Sequence, residues 1–200
     1  MSDPTCRLYL ICPATLPPEF DAALEAALEA GDVAALRVAP GDDAAVARMR
    51  AIAHAHGVAL ILDGLPEAAL RLGGDGAHLQ PGQDVAAARK VLGDRQLGVW
   101  CGASRDHAME AGQDGADYVS FGPVCGEGDL ADPELVSWWV ELMELPAVVE
   151  GGVSLTNCAP LVQAGADFLA VGDAVWQHEA GPADAIRAFN QAIRDHAPRP

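Results

Sequence analysis

Short apolar runs alternate along this chain with longer stretches in which alanine and leucine recur at helical spacing. The runs are Arg7–Cys12, Val33–Val38, Val58–Leu62, Gly76–Leu79, Leu97–Trp100, Tyr118–Phe121, Ala147–Glu150 and Phe168–Val171. Each is short and bounded by turn residues, the pattern of a strand buried on both faces. The stretches between them predict helices over Pro17–Ala30, Asp42–His56, Pro66–Leu72, Asp84–Leu92, Ser104–Gln113, Pro133–Leu142, Ser154–Ala164 and Pro182–Asp195. Asp42, Asp84, Ser104, Asp132 and Ser154 stand where a helix N-cap belongs, and Pro66, Pro133 and Pro182 fall in first turns, where the missing N–H does no harm.

One phrase recurs: GGDGAHLQ (Gly73–Gln80), GADYVSFGPV (Gly115–Val124) and GADFLAVGDA (Gly165–Ala174), with a weaker copy in GDVAALRV (Gly31–Val38). A glycine closing a helix in the left-handed conformation, followed by a buried strand, is the αβ half of a βα unit. The strong copies lie roughly forty to fifty residues apart, so each interval holds about two units. Eight units predict a single compact TIM (β/α)8 barrel as one domain over 1–200, with a short tail from about 196. An open doubly wound sheet is the structural alternative. It usually has fewer strands and a glycine-rich first turn, which the loop CPATLPPEF (Cys12–Phe20) lacks.

Composition narrows the partners. Half of the 200 residues are hydrophobic and mean hydropathy is +0.13, enough for one core, yet no apolar run is long enough to span a bilayer. The N-terminus lacks a signal-peptide layout, and a cytoplasmic location is expected. The net charge of −17 argues against nucleic acid and anionic membranes, which need a positive surface. Lys90 is the single lysine. The five cysteines are odd in number and form no CxxC, so a disulfide framework is not expected. Cys12, Cys101 and Cys125 each fall near a strand end, where they either meet at one mouth as a thiolate metal site or reactive thiol, or pack as small hydrophobes, the favoured reading.

A barrel carries its chemistry at the C-terminal strand ends. These read Cys12, Arg37, Asp63, His78 with Gln80, Trp100 with Cys101, Gly122, Glu150 with Gly151 and Gly152, and Gly172 with Asp173. Bare glycine turns after the last two strands suit a phosphate held by backbone N–H groups, and they are also ordinary turn chemistry. Asp63 and Asp84, on neighbouring loops, suit a shared Mg²⁺, although Asp84 also reads as a helix cap. Arg37 serves either a ligand anion or a structural ion pair. His78 is an acid/base or a lining residue. Trp138 and Trp139 read as packing against the barrel or a partner.

GADYVSFGPV, GGVSLTN (Gly151–Asn157), GADFLAVGDAV and ILDGLPEAALRLGGDGAHL together resemble thiamine-phosphate synthase and its TenI-like relatives, in order and over nearly the whole chain. The resemblance implies a TIM barrel in thiamine biosynthesis. It implies a transferase that joins hydroxymethylpyrimidine diphosphate to a thiazole phosphate, with Mg²⁺ present and pyrophosphate released. Carried over by position, Arg37 is the arginine of a Gln-Leu-Arg-x-Lys strand whose glutamine and lysine are here Ala35 and Ala39. Asp63 is the metal-binding aspartate of an Asn-Asp-Arg motif whose neighbours are here Leu62 and Gly64, and Asp84 stands for the second metal aspartate. Gly151 and Gly152 match the thiazole-phosphate loop, and a Val-Ser pair completing that site is here Gly172 and Asp173. His78 and Gly122 are expected to touch substrate. A Thr-x-Thr-Lys loop that grips pyrophosphate is replaced by Cys125–Asp129, with Glu127 and Asp129 in it.

The implied partner is a phosphorylated heterocycle, and a homodimer is among the expected states. A second reading is a non-synthase TenI-like barrel that binds or isomerises a less anionic ligand, or a regulatory protein. It rests on an acidic mouth of Asp63, Glu127, Asp129, Glu150 and Asp173. A third, an interaction protein, rests on the tryptophan pair.

Overall fold

The computed structural model describes residues 6–123 and 130–198. Eight parallel strands close into a barrel in chain order: β1 Arg7–Ile11, β2 Val33–Val38, β3 Ala59–Asp63, β4 Gly76–Leu79, β5 Gln96–Gly102, β6 Tyr118–Phe121, β7 Ala147–Val149 and β8 Phe168–Val171. Outside them lie α1 Phe20–Glu29, α2 Asp43–Ala55, α3 Pro66–Leu72, α4 Val85–Leu92, α5 Arg105–Gln113, α6 Pro133–Leu142, α7 Cys158–Gln163, α8 Asp173–Trp176 and α9 Pro182–His196. The strands therefore fall within a residue or two of the apolar runs. The TIM barrel holds, and the open sheet does not.

Strand alternation produces two apolar layers. Outward residues such as Leu8, Leu36, Leu60, Leu97 and Val119 join the helices in one large core. Inward residues Tyr9, Ala35, Ile61, Tyr118, Val148 and Ala170 form a separate plug inside the barrel. Large residues sit beside small ones in it, as Tyr9 does beside Ala35. Gly98 pairs in register with Tyr118, and a methyl group on Gly98 would meet Tyr118 Cζ at 2.0 Å. The missing side chain is the space that the ring fills.

The recurring Gly-x-Asp phrase has a structural meaning at the floor, the N-terminal end of the strands. Asp75, just before β4, accepts a 2.7 Å hydrogen bond from the N–H of Leu60 in β3. Asp117, before β6, does the same for Leu97 of β5 at 2.7 Å. Asp167, before β8, does so for Ala147 of β7 at 2.8 Å. In each case the aspartate's own N–H donates back to the carbonyl of the same residue. The weaker copy differs: Asp32, before β2, instead receives the Arg7 guanidinium at the start of β1. The phrase repeats every second strand because each aspartate stitches its strand to the preceding one, so the barrel is floored by four strand pairs.

Four of the expected caps are observed. Asp42, Asp84, Ser104 and Asp132 accept from Ala44, Ala87, His107 and Glu134 N–H groups respectively. Ser154 is a correction. The helix begins at Cys158, because the Asn157 side chain accepts from Ser154 N–H at 2.7 Å and donates to Gly152 O at 3.0 Å, holding those residues in a turn. The four-residue α8 was not expected; it is too short to carry a periodic pattern. Trp139 is buried and packs edge-on against Phe121, while Trp138 lies under the Arg105 guanidinium.

Candidate active site

The mouth gathers polar side chains beside inward Ile11 and Trp100, in contrast to the plug beneath. β2 supplies Arg37, β3 Asp63, β4 His78 and β6 Ser120. Gln80 and Glu150 follow the ends of β4 and β7. Arg37 and Glu150, 113 positions apart, meet in a buried ion pair with Arg37 Nη2 2.7 Å from Glu150 Oε2. The other oxygen of Glu150 accepts from Ser120 Oγ and lies 3.3 Å from His78 Nε2. His78 continues inward to the Tyr118 hydroxyl at 3.3 Å, which contacts the Tyr9 hydroxyl at 2.9 Å. Arg37 Nε stands 3.9 Å from Asp63 Oδ1, and Gln80 Nε2 donates to that same oxygen at 2.5 Å.

These neighbours set the charge states. Burial disfavours the ionised Glu150, but Arg37 and His78 outweigh it and hold the carboxyl well below the usual carboxylate range. Burial also disfavours the Arg37 charge, and Glu150, Tyr9 and Asp63 together more than restore it. Burial and the nearby Arg37 charge lower His78, leaving it neutral. The sequence left Arg37 open between ligand anion and ion pair, and the ion pair is present. His78 is buried in the network, so it lines the barrel beneath the mouth.

Asp63 is partly exposed, and only Oδ1 is engaged among the described residues. Asp84 is exposed and spends one oxygen on the α4 cap. The two loops are tied together, since Gln83 bonds both Gly64 O and Gln80 N–H. Hard carboxylate oxygens with free lone pairs suit Mg²⁺, which takes one or two carboxylates and fills its remaining positions with water and phosphate. Among the described residues no three His, Cys, Asp or Glu side chains form a self-sufficient metal cage.

After β7, Gly151 and Gly152 have φ of +86° and +77°, and a side chain on Gly152 would meet nothing within 4 Å. Among the described residues the N–H groups of Gly151, Gly152 and Gly172 have no hydrogen-bond acceptor, so these turns present bare donors. Gly172 precedes α8, with Asp173 exposed as its first residue. Gly122 has a packing role: a side chain there would meet Glu150 O at 2.0 Å. A crevice of about 480 Å³ opens between the loops after β1 and β2, lined in part by Cys12, Thr15, Ala39, Asp42 and Met49.

Of the three cysteines expected at the mouth, the two described ones, Cys12 and Cys101, do not meet there. Cys101 faces the helices in the outer core, and Cys12 packs against Met49. Cys125, Glu127 and Asp129 lie outside the described residues. The acidic mouth also changes, because Glu150 is buried and paired with Arg37. Sequence reasoning missed Ser120, Tyr9 and Tyr118. Strand alternation could have found Ser120, which stands two residues before Gly122 and therefore on the same face.

Comparison with known proteins agrees with this architecture. Residues 8–175 match the family described as thiamine monophosphate synthase. A thiamine-phosphate synthase of Rhodospirillum centenum is 46% identical over 94% of this chain and 98% of its own length. That of Hyphomonas neptunium is 44% identical over 94% and 93% respectively. The solved thiamine phosphate pyrophosphorylase of Pyrococcus furiosus superposes with a TM-score of 0.84 at 24% identity, covering 96% of this chain and 97% of that one.

Proposed function

We infer, since the chain belongs to the thiamine monophosphate synthase family, that its mouth binds a thiazole phosphate beside a hydroxymethylpyrimidine diphosphate and joins them with release of pyrophosphate. The observation that carries this reading is the meeting of Arg37 and Asp63, 3.9 Å apart, at the end of the barrel that also bears the bare Gly151–Gly152 and Gly172 turns. The first pair suits a diphosphate with its metal, the turns a single phosphate.

The reaction asks little of acid–base groups. The pyrimidine methylene C–O bond breaks with its electron pair leaving on pyrophosphate, and the thiazole nitrogen lone pair forms the new C–N bond. Positioning and charge stabilisation are the protein's contribution. In this reading the N–H groups of Gly151, Gly152 and Gly172 hold the thiazole phosphate, and Asp173 sits at its exposed rim. Arg37 directs a guanidinium toward the diphosphate. Gly122 lets β6 approach β7 beneath the substrate, and His78 with Ser120 fixes Glu150. Asp63 and Asp84 would hold Mg²⁺, which when bound neutralises charge on the diphosphate.

Ala39 and Gly64 stand where the resemblance expects a lysine and an arginine, and Arg37 is already paired with Glu150. Each missing charge contact to a departing anion costs about 10²–10³ in rate. Turnover well below that of a synthase carrying that lysine and arginine is therefore expected. The test supplies both phosphorylated substrates with Mg²⁺ and measures thiamine phosphate, beside such a synthase. Slow product formation that disappears in Asp63→Asn supports the reading. Folded protein giving no product at saturating substrate overturns it.

A further inference from the structure

We propose that Glu150 is a built-in anion that competes with the substrate's diphosphate for Arg37, and so sets how well this mouth accepts diphosphates. The inference rests on the reading above and concerns a residue which that reading does not require.

The geometry of the pair is unequal. The Glu150 carboxylate is held from three sides, by Arg37 Nη2, Ser120 Oγ and His78 Nε2. Arg37 is not matched in return. Its guanidinium offers five N–H donors, yet Nε and Nη1 are buried with no hydrogen-bond partner among the described residues. The residue itself is 7% exposed. Buried donors without acceptors are costly and uncommon, and the second carboxylate, Asp63 Oδ1, stands 3.9 Å from Nε, beyond hydrogen-bond reach. Arg37 is thus one carboxylate short of a full acceptor set and has donors left at the mouth.

Charge counting gives the sense of the effect. Arg37 beside Asp63 alone is a neutral patch, and adding Glu150 makes it net negative. An incoming diphosphate must then displace Glu150 or bind against it, and like-charge juxtaposition at a buried site is costly. A ligand oxygen of low charge, such as a carbonyl or hydroxyl, can take the free Nη1–H without that conflict. Glu150 therefore acts as a selectivity residue.

The experiment measures Mg²⁺–pyrophosphate binding by titration calorimetry and its effect on the thermal midpoint. The proteins are the full chain, Glu150→Gln and Arg37→Gln/Glu150→Gln. Glu150→Gln keeps the hydrogen-bonding shape and removes the charge, so pyrophosphate affinity is expected to rise at least tenfold. The double variant is expected to fall back to within about threefold of the parent. Because Glu150→Gln leaves Arg37 without its counter-charge, it is expected to melt early and to regain its midpoint with pyrophosphate. If it fails to fold alone, expression and purification in pyrophosphate is the same test by yield. No gain in affinity, or no rescue, overturns the proposal. So does an equal gain in the double variant. Parent turnover is read separately. Product from the parent with no pyrophosphate gain in Glu150→Gln refutes the role of Glu150 alone. A gain without turnover in any variant refutes the synthase reading alone.

Discussion

Replacing Gly98 by alanine tests whether the barrel interior is packed as described. The new Cβ would lie 2.0 Å from Tyr118 Cζ and 2.3 Å from its Oη, at least about 1.5 Å inside the distance at which carbon atoms attract. The ring has little room to retreat. It is 7% exposed, stacks on His78 at 5.7 Å and bonds Tyr9 through its hydroxyl at 2.9 Å. Overpacking of this kind costs about 1–3 kcal/mol, and displacing the hydroxyl forfeits about 1 kcal/mol more. A loss of about 2–4 kcal/mol is expected, or roughly 4–16 °C in the thermal midpoint for a chain of this size. Urea unfolding with an unchanged slope is the assay. Tyr118→Leu in the same chain should restore part of the loss, giving a coupling of more than about 1 kcal/mol. A cost below about 0.5 kcal/mol for Gly98→Ala, or strict additivity with Tyr118→Leu, would refute the packing argument.

Two further predictions concern the floor and the thiols. Asp117→Ala strips the Leu97 N–H of its acceptor and releases Arg89, so it should cost about 1–3 kcal/mol. Asp32→Ala breaks only an exposed pair with Arg7 and should cost under about 1 kcal/mol; denaturant titration of both ranks them, and equal losses would contradict the stitching role. Burial pushes the Cys6 and Cys101 thiols from 9.0 up to about 12, so the folded state resists ionisation that the unfolded chain permits. Their contribution to stability is intact below pH 9 and lost as pH rises from there toward 12. Native alkylation at pH 8 should spare both, roughly a thousandfold slower than in urea, as peptide mapping would show.

The strands were legible because a doubly covered strand leaves a short, bounded apolar run, and the caps because a local side chain answers a local N–H. Ser154 failed where a neighbouring Asn157 offered a better local bond, a competition that residue type alone does not resolve. The stitching aspartates were visible as a repeat, but their role depends on a strand some fifteen to twenty residues upstream. At the mouth, Arg37 and Glu150 both stood at predicted strand ends, yet their meeting depends on ring closure and register. Tyr9 and Tyr118 were hidden because inward and outward positions of a mostly apolar strand read alike.

The stitched floor has an evolutionary consequence. Its carboxylates, together with the helix–sheet packing, keep the scaffold standing while residues at the opposite end are free to drift. Resemblance summed over the whole chain is therefore weighted toward positions that maintain shape. Two descendants of one ancestor can remain close by that measure after their reactive ends have parted, and the few side chains around Arg37 are where such a parting is written.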